Sequence, residues 1–149
     1  MWQRSRELVR FIYEISKYQN FERDYGLQDQ IRRASVSVMS NIAEGFDRGT
    51  KQEFLNYLFI AKGSCGEVKS QLYIAHDIGY IDISKFQKGI GLSDEVARLI
   101  QSFVSKLKQG GEIGLQYKIE DGAKDFNAWL TEELNKTKSK WKIKCLRIF

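Results

Sequence analysis

The chain has 149 residues, of which 42% are hydrophobic and 29% are charged. This length and composition are typical of one soluble globular domain and exclude extensive intrinsic disorder. Lysine and arginine together exceed aspartate and glutamate by five, which favours acidic partners such as nucleic-acid phosphates. The first residues, Met1 to Arg6, are charged rather than apolar, and no apolar run approaches membrane length. We therefore expect a cytoplasmic protein without a membrane contact.

Two amphipathic patterns come first along the chain. From about Gln3 to Tyr18, apolar residues recur at spacings of three and four, which predicts a first helix. Residues 19–22 show no sustained period. A second helical pattern follows Gly26 and is expected to end near Gly45; its apolar positions are Leu27, Ile31, Ala34, Val38 and Ile42. Since the chain contains no proline, nothing forbids long helices.

A third helix is predicted after a short connection. Thr50 and Glu53 have the spacing of a capping box, in which each side chain can satisfy a free backbone N–H. A seven-residue apolar rhythm then continues to Gly79 and forms the clearest pattern in the chain. It includes Cys65, which we expect to behave as a small core residue.

A fourth helix follows, capped by either Asp82 or Ser84. The pattern leaves open whether Gly89 and Gly91 interrupt this helix, with Ser93 as a second cap. Four helices joined by short loops must mostly run antiparallel to their neighbours. The predicted fold is therefore all-α, an antiparallel up-down-up-down four-helix bundle.

Residues 112–149 follow the predicted bundle domain, residues 1–111, as a basic C-terminal extension of uncertain structure. Residues 125–135 are compatible with a short helix that carries Phe126, Trp129, Leu130 and Leu134. The final residues alternate polar and apolar types, which is a strand period, although a basic arm is an equally good interpretation. Every charged side chain after Glu133 is positive, which makes this end a second candidate for phosphate contact: Lys136, Lys138, Lys140, Lys142, Lys144 and Arg147.

The sequence contains few residues in the patterns that catalytic sites use. His76 is the only histidine, and the chain contains no HExxH, GxSxG, P-loop or metal-spaced Cys/His motif. We expect His76 to be a packing or surface residue, and the run Gly63-Ser64-Cys65-Gly66 to serve core packing. Glu44 is expected to cap a helix or to pair with an arginine. The sequence thus favours a protein without enzymatic activity, cofactor or metal, and an enzyme that uses Glu44 or His76 on RNA is the weakest hypothesis.

Small residues and arginines meet in the second helix and the turn after it. Asp29 stands three and four residues before Arg32 and Arg33, so these can form ordinary surface ion pairs on a helix that packs within one subunit. Alternatively, the small face admits a neighbouring subunit, and a ring multiplies the basic charge around its axis. The candidate nucleic-acid contacts are Arg32, Arg33, Arg48 and Lys51, and the candidate packing or oligomer contacts are Ser37, Ser40, Asn41, Glu44, Gly63 and Ser64.

An ordered run of motifs carries a family resemblance. It comprises Tyr25-Gly26-Leu27, Gln30-Ile31-Arg32-Arg33-Ala34, Val36-Ser37, Ser40-Asn41-Ile42-Ala43-Glu44-Gly45, Arg48, Glu53-Phe54, Ala61-Lys62-Gly63-Ser64 and Glu67. Over about residues 2–107 the chain closely resembles the four helix bundle protein family, also called the 23S rRNA intervening-sequence protein family. It departs from the family pattern around Gln19-Asn20, where a proline is missing, and at Met39, where proline is frequent.

The resemblance implies a bundle that assembles as a ring-like homopentamer and binds nucleic acid through basic surfaces. Relatives include the accessory protein of diversity-generating retroelements, which assembles with a reverse transcriptase. We therefore hypothesise a non-enzymatic oligomer, pentameric by resemblance, that binds RNA or DNA or accompanies a ribonucleoprotein. The alternative is a protein-interaction scaffold that recruits a polymerase or another protein partner without binding nucleic acid.

Overall fold

The apolar stripes of the sequence become the inner faces of helices. The computed structural model describes residues 1–109. These residues contain five helices, α1 (Trp2–Ile15), α2 (Gln19–Arg23), α3 (Tyr25–Asp47), α4 (Lys51–Asp77) and α5 (Ile83–Gln109), so the fold is all-α, as predicted. Within this part of the chain no helix has the length and apolarity of a membrane span. The predicted helix at 125–135 and the cationic positions from 136 to 147 lie outside the described residues.

The four long helices form an antiparallel bundle. α1 packs on α3 and α5, and α4 packs on the same two helices. One half of the core gathers the starts of α1 and α4 with the ends of α3 and α5, through Met1, Phe54, Ile42 and Leu107. The other half gathers the opposite ends of these helices. Chain direction therefore alternates from helix to helix, which confirms the predicted up-down-up-down order.

Side-chain caps set the starts of α3 and α4. The Thr50 hydroxyl accepts a hydrogen bond from the Glu53 backbone N–H at 3.2 Å, as the capping-box spacing predicts, and it donates to the Glu53 carboxylate at 2.6 Å. Asp24 accepts a hydrogen bond from the Leu27 backbone N–H at 3.0 Å. Because Asp24 satisfies this N–H, α3 begins at Tyr25, ahead of the first residue of the apolar pattern.

The sequence pattern leaves two local features undetermined. The segment without a period forms the short helix α2, since five residues make fewer than two turns and cannot display a period. Its Phe21 is fully buried and packs on Tyr80, with ring centroids 5.5 Å apart. α3 ends at Asp47, near Gly45 as predicted, but Gly45 itself lies inside the helix. A Cβ at Gly45 would stand 2.5 Å from the Tyr57 Cβ, so this glycine allows α3 to pack closely on α4 and makes no turn.

The boundaries of the outer helices also differ from their patterns. α1 ends at Ile15 rather than at Tyr18, and the buried Ser16 follows as its C-cap. α5 is continuous, so its glycines do not interrupt it. A Cβ at Gly89 would lie 2.8 Å from a methyl carbon of Leu72, which means that this glycine serves close packing of α5 on α4.

The start of α5 decides between the two predicted caps. Asp82, rather than Ser84, caps the helix by accepting a hydrogen bond from the Lys85 backbone N–H at 2.8 Å. Ser93 is not a second cap, because it is buried inside the helix and donates to the Gly89 carbonyl at 2.9 Å. The fourth predicted helix therefore has one start.

Candidate nucleic-acid interface

A solvent-open cleft lies between the outer sides of α1 and α3. Its volume is about 490 Å³, and its lining residues are Tyr13, Asp29, Arg32, Arg33, Val36 and Ser37. Tyr13 belongs to α1 and the other five residues belong to α3. The cleft therefore brings two of the predicted phosphate contacts together with one aromatic ring.

Arg32 is held in place at this cleft. Its Nε donates to the Ser16 hydroxyl at 2.8 Å, and a terminal nitrogen donates to the Ser16 carbonyl at 3.3 Å. Gln28 donates to the same carbonyl at 2.7 Å. The guanidinium of Arg32 also lies over the Tyr13 ring, 5.1 Å from its centroid, in a cation–π geometry. Because these contacts fix the side chain, Arg32 supplies a positive charge at a defined position.

Arg33, the next residue, is far more exposed. Its side chain is 80% exposed and pairs at 3.6 Å with Asp29, which is 66% exposed. This is the i,i+4 pair that the sequence predicts, and exposed pairs of this kind contribute about 0–1 kcal/mol. Exchange of Asp29 for a phosphate therefore costs little, and Arg33 is available to an incoming anion.

The outer face of α1 extends the positive charge beyond the cleft. Arg6, Arg10 and Lys17 are exposed. Arg6 and Arg10 lie four residues apart on one side of α1, next to Tyr13, and Lys17 lies two residues beyond the end of this helix. Within residues 1–109, none of these three makes an ion pair. We refer to Arg6, Arg10, Lys17 and Arg33 as the basic strip.

The acidic residues of α1 lie on its other side, toward α5. Glu7 of α1 and Glu95 of α5 both pair with the same arginine of α1. Asp82 contributes most to the raised pKa of Lys85, and the charge of Glu14 adds to it, so Glu14 lies near the start of α5. α1 therefore separates its acids, which lie toward α5, from Arg6 and Arg10 on its outward side.

The remaining predicted contacts of the bundle lie at the far end of α3. Arg48 follows the last residue of α3, about 22 Å from Arg33 along the helix, and Lys51 opens α4. Arg48 pairs with Glu44 at 2.6 Å, and its guanidinium lies 5.3 Å from the Tyr57 ring centroid. Hydrogen bonds from Arg48 and then from Tyr57 lower the pKa of Glu44. The predicted pairing of Glu44 is confirmed, and the four predicted cations form two groups rather than one patch.

Several of the predicted small-residue contacts are used inside the chain. The Ser37 and Ser64 hydroxyl oxygens are 2.9 Å apart across the α3–α4 interface, and Asn41 donates to the Ser37 carbonyl at 2.8 Å. These contacts match the interpretation of tight packing within one subunit. Ser40 is exposed instead. Gly63 also faces away from the bundle, where an added Cβ would meet no group of the described residues within 4 Å.

The outward side of α4 carries large apolar side chains among polar ones such as Glu67 and Ser70. Four large side chains there are between 44% and 55% exposed, and two exposed glycines lie between them. We refer to these six residues as the α4 outer face: Phe59, Ile60, Gly63, Gly66, Tyr73 and Ile74. The prediction of core packing is thus right for Ser64 and Cys65 and wrong for the two glycines. An exposed apolar surface of this kind is typical of a protein contact.

His76 and Cys65 have packing roles. His76 Nδ1 lies 3.2 Å from the Ile81 carbonyl oxygen, and its ring stacks on Phe86 at 4.7 Å, as predicted for a packing residue. Cys65 is fully buried, and burial raises the pKa of its thiol to about 11. Such a thiol is not a nucleophile at neutral pH. Among residues 1–109, no cluster of His, Cys, Asp and Glu could hold a metal ion.

The sequence patterns did not identify Tyr13, or the cations Arg6, Arg10 and Lys17, as functional candidates. The signal was present in the spacing, because Arg6 and Tyr13 are seven residues apart. Residues seven apart share one side of a helix. What the spacing does not reveal is that this side borders the arginines of α3.

A family model described as 23S rRNA-intervening sequence protein matches residues 1–102. The chain belongs to this family. The match to the intervening-sequence protein family confirms the predicted resemblance, and it includes the cleft and the basic strip. The crystal structure of a protein of unknown function from the S23 ribosomal protein family of Bacteroides thetaiotaomicron has a TM-score of 0.63 and 24% sequence identity, over 69% of this chain and 96% of that chain. At this identity the likeness supports the fold alone. No curated protein matches the chain.

Proposed function

We propose that this intervening-sequence family protein is a non-enzymatic, oligomeric protein that binds RNA through the basic strip. The separation of charge on α1 carries the proposal. Arg6, Arg10 and Lys17 make no ion pair within residues 1–109 and lie beside the arginine-lined cleft. The family's link to an intervening sequence of 23S rRNA supports RNA as the bound polyanion.

The strip suits phosphate groups better than base edges. Each phosphate that it neutralises releases counterions, and four cations predict that the logarithm of affinity falls by about three for each unit of log salt on a single strand. This slope corresponds to a loss of roughly fifty-fold between 50 and 200 mM salt. Contacts to phosphates carry no sequence information, so sequence preference should be weak.

Self-assembly makes such a weak strip useful. Several copies of the strip on one assembly bind one polyanion together, which raises the overall affinity without new contacts. The homopentamer that the family resemblance implies is part of this proposal, and the α4 outer face offers apolar surface for a subunit contact. Native mass spectrometry of protein purified from its own host tests this part, since it reports subunit number and retained RNA together. A protein that stays monomeric at all working concentrations contradicts it.

The RNA part is tested by removing charge from the strip. The triple variant Arg10→Gln, Lys17→Gln, Arg33→Gln should weaken RNA binding by on the order of tenfold to a hundredfold at 0.1 M salt, because three phosphate contacts are lost. Fluorescence anisotropy with a labelled RNA measures the change.

A matched control removes the same charge elsewhere. Lys62→Gln, Arg98→Gln, Lys108→Gln lowers the net charge of the chain equally, but these residues lie on α4 and α5. We expect at most a few-fold loss of affinity for this control. Equal losses in both triple variants would show that net charge, rather than the strip, holds the RNA.

The α4 outer face favours a second candidate, a scaffold that recruits a polymerase or another protein partner. In that case the partner contacts apolar side chains such as Ile60 and Ile74, which are 51% and 49% exposed. Co-purification of the partner that survives nuclease and high salt, and that is lost in Ile74→Lys, would support the scaffold. Co-purification that nuclease abolishes would support RNA binding instead.

A further inference from the structure

We propose that the cleft between α1 and α3 is a stacking site for one unpaired nucleobase, with Tyr13 as its platform. The protein then prefers single-stranded RNA to duplex RNA. This inference rests on the proposed function and deepens it, because it names the form of RNA that the basic strip holds.

Tyr13 is presented as a platform by its surroundings. Its side chain is 40% exposed, and the Arg32 guanidinium lies 5.1 Å from its ring centroid. Two hydrogen bonds to Ser16, at 2.8 and 3.3 Å, hold that guanidinium in place. Aromatic rings and guanidinium planes are the surfaces on which proteins stack unpaired bases, and in this cleft the guanidinium of Arg32 lies over the ring of Tyr13.

The size of the cleft fits one nucleotide rather than a helix. Its volume of about 490 Å³ falls within the range of roughly 300–1,000 Å³ that small-molecule sites occupy. Val36 adds an apolar wall beside the ring. A base inside a duplex must first unpair and unstack, at a cost of a few kcal/mol, whereas an unpaired base can enter without this cost.

The charges around the cleft continue the path of the strand. Arg33 lies in the cleft lining, and its 3.6 Å pair with Asp29 is weak enough to give way to a phosphate. Arg10 lies three residues before Tyr13 on α1, and Lys17 lies just beyond the end of this helix. A single strand with one base in the cleft can also place its flanking phosphates on these cations. A duplex can contact the cations through its phosphates but cannot place a base in the cleft.

The experiment compares a short RNA that carries one 2-aminopurine, a fluorescent adenine analogue, with the same RNA annealed to its complement. With the full chain, we expect tighter binding of the single strand and a fall in 2-aminopurine emission on binding. Tyr13→Ala and Tyr13→Leu should each weaken single-strand binding by about tenfold and leave duplex affinity unchanged, whereas Tyr13→Phe should retain both.

Tyr25→Ala is the matched control, because Tyr25 is 78% exposed and does not line the cleft. We expect it to bind single strands as tightly as the native protein. Tyr13→Leu keeps an apolar side chain, and circular dichroism melts confirm that each variant is folded. Unchanged single-strand affinity in Tyr13→Leu, or equal affinity of the native protein for both RNA forms, would overturn the stacking site. The proposed function would still be supported in that case if the binding depended on salt. No binding of either form by the native protein would overturn both.

Discussion

Arg32 and Arg33 are neighbours in the chain, yet they face different surroundings. Successive residues of an α-helix point about 100° apart, so one arginine turns toward α1 and the other toward solvent. Ser16, which fixes Arg32, lies 16 residues away. The pattern of α3 alone therefore predicts two equivalent arginines. Only the packing of α1 shows that Arg32 is held in place and that Arg33 is available to a phosphate.

Asp29→Asn should raise the affinity for RNA by about two- to fivefold at low salt. The substitution releases Arg33 from its exposed ion pair and removes a negative charge from the cleft. Anisotropy titration with single-stranded RNA measures the gain. Asp47→Asn makes the same charge change about 27 Å away along α3 and should have a smaller effect. Unchanged or weaker binding in Asp29→Asn would argue against Arg33 as a phosphate contact.

At the scale of the helices, the local signals were sufficient to locate four helices and the start of one of them. Apolar periods located the long helices, and the Thr50 cap marked where α4 begins, whereas both Asp82 and Ser84 fitted the start of α5. The roles of Gly45 and Gly89 could not be predicted, because each depends on a side chain of a neighbouring helix. A glycine that permits close packing and a glycine that ends a helix look the same in the sequence.

Gly45→Ala should destabilise the protein by about 1–3 kcal/mol, although alanine favours helix by about 1 kcal/mol. The new methyl group would stand 2.5 Å from the Tyr57 Cβ, an atom that no rotamer change can move. Gly91→Ala is the control, since its methyl group would meet open space, and it should stabilise α5 by about 0.5–1 kcal/mol. Urea unfolding measures both. Native stability in Gly45→Ala would contradict the close packing of α3 on α4.

The contact between α1 and α5 gives stability a pH dependence. Arg4 hydrogen-bonds to Glu95, with an Nε–Oε1 distance of 2.8 Å, and this contact lowers the pKa of Glu95 against the opposing effect of burial. A carboxylate with a lowered folded-state pKa stabilises the fold above its ordinary pKa, and this stabilisation is lost as pH falls through the lowered value. Both groups are partly exposed, so the effect is about 1 kcal/mol or less.

Arg4→Gln tests this contact through the midpoint of thermal unfolding. The variant should melt a few degrees below the native protein at neutral pH. The difference should shrink as pH falls through the lowered pKa of Glu95, because protonation then removes the same interaction from the native protein. A difference in melting temperature that is constant across this range would assign the loss to packing of the arginine stem.

At the scale of the whole molecule, Gly63 and Gly66 connect fold and assembly. Their positions face solvent within the described residues, so alanine should stabilise α4 by about 0.5–1 kcal/mol per site. If the α4 outer face packs on a neighbouring copy, the two methyl groups hold the helices apart and weaken assembly. In sedimentation velocity across a concentration series, oligomers of the double variant Gly63→Ala, Gly66→Ala should dissociate at a higher protein concentration than oligomers of Gly91→Ala. Identical behaviour of these variants would exclude the face from the subunit contact.

The candidate site was only partly predictable because two helices from different parts of the sequence build it. The motifs of α3 identified Arg32 and Arg33, but their meeting with Tyr13 depends on the antiparallel packing of α1 on α3. The charges of α1 carry no motif, and their importance comes from the side of the helix on which they lie. The cationic positions from 136 to 147 stay a prediction, since they lie outside the described residues.

We propose that a defined strip of cations holds RNA by its phosphates. The most direct test is the slope of log affinity against log salt for single-stranded RNA, measured with the native protein and with Arg10→Gln, Lys17→Gln, Arg33→Gln. We expect the slope of the variant to be shallower by about two units for each basic strip that binds the RNA, because three phosphate contacts are missing. Equal slopes for the two proteins, or a native affinity that does not change with salt, would contradict it.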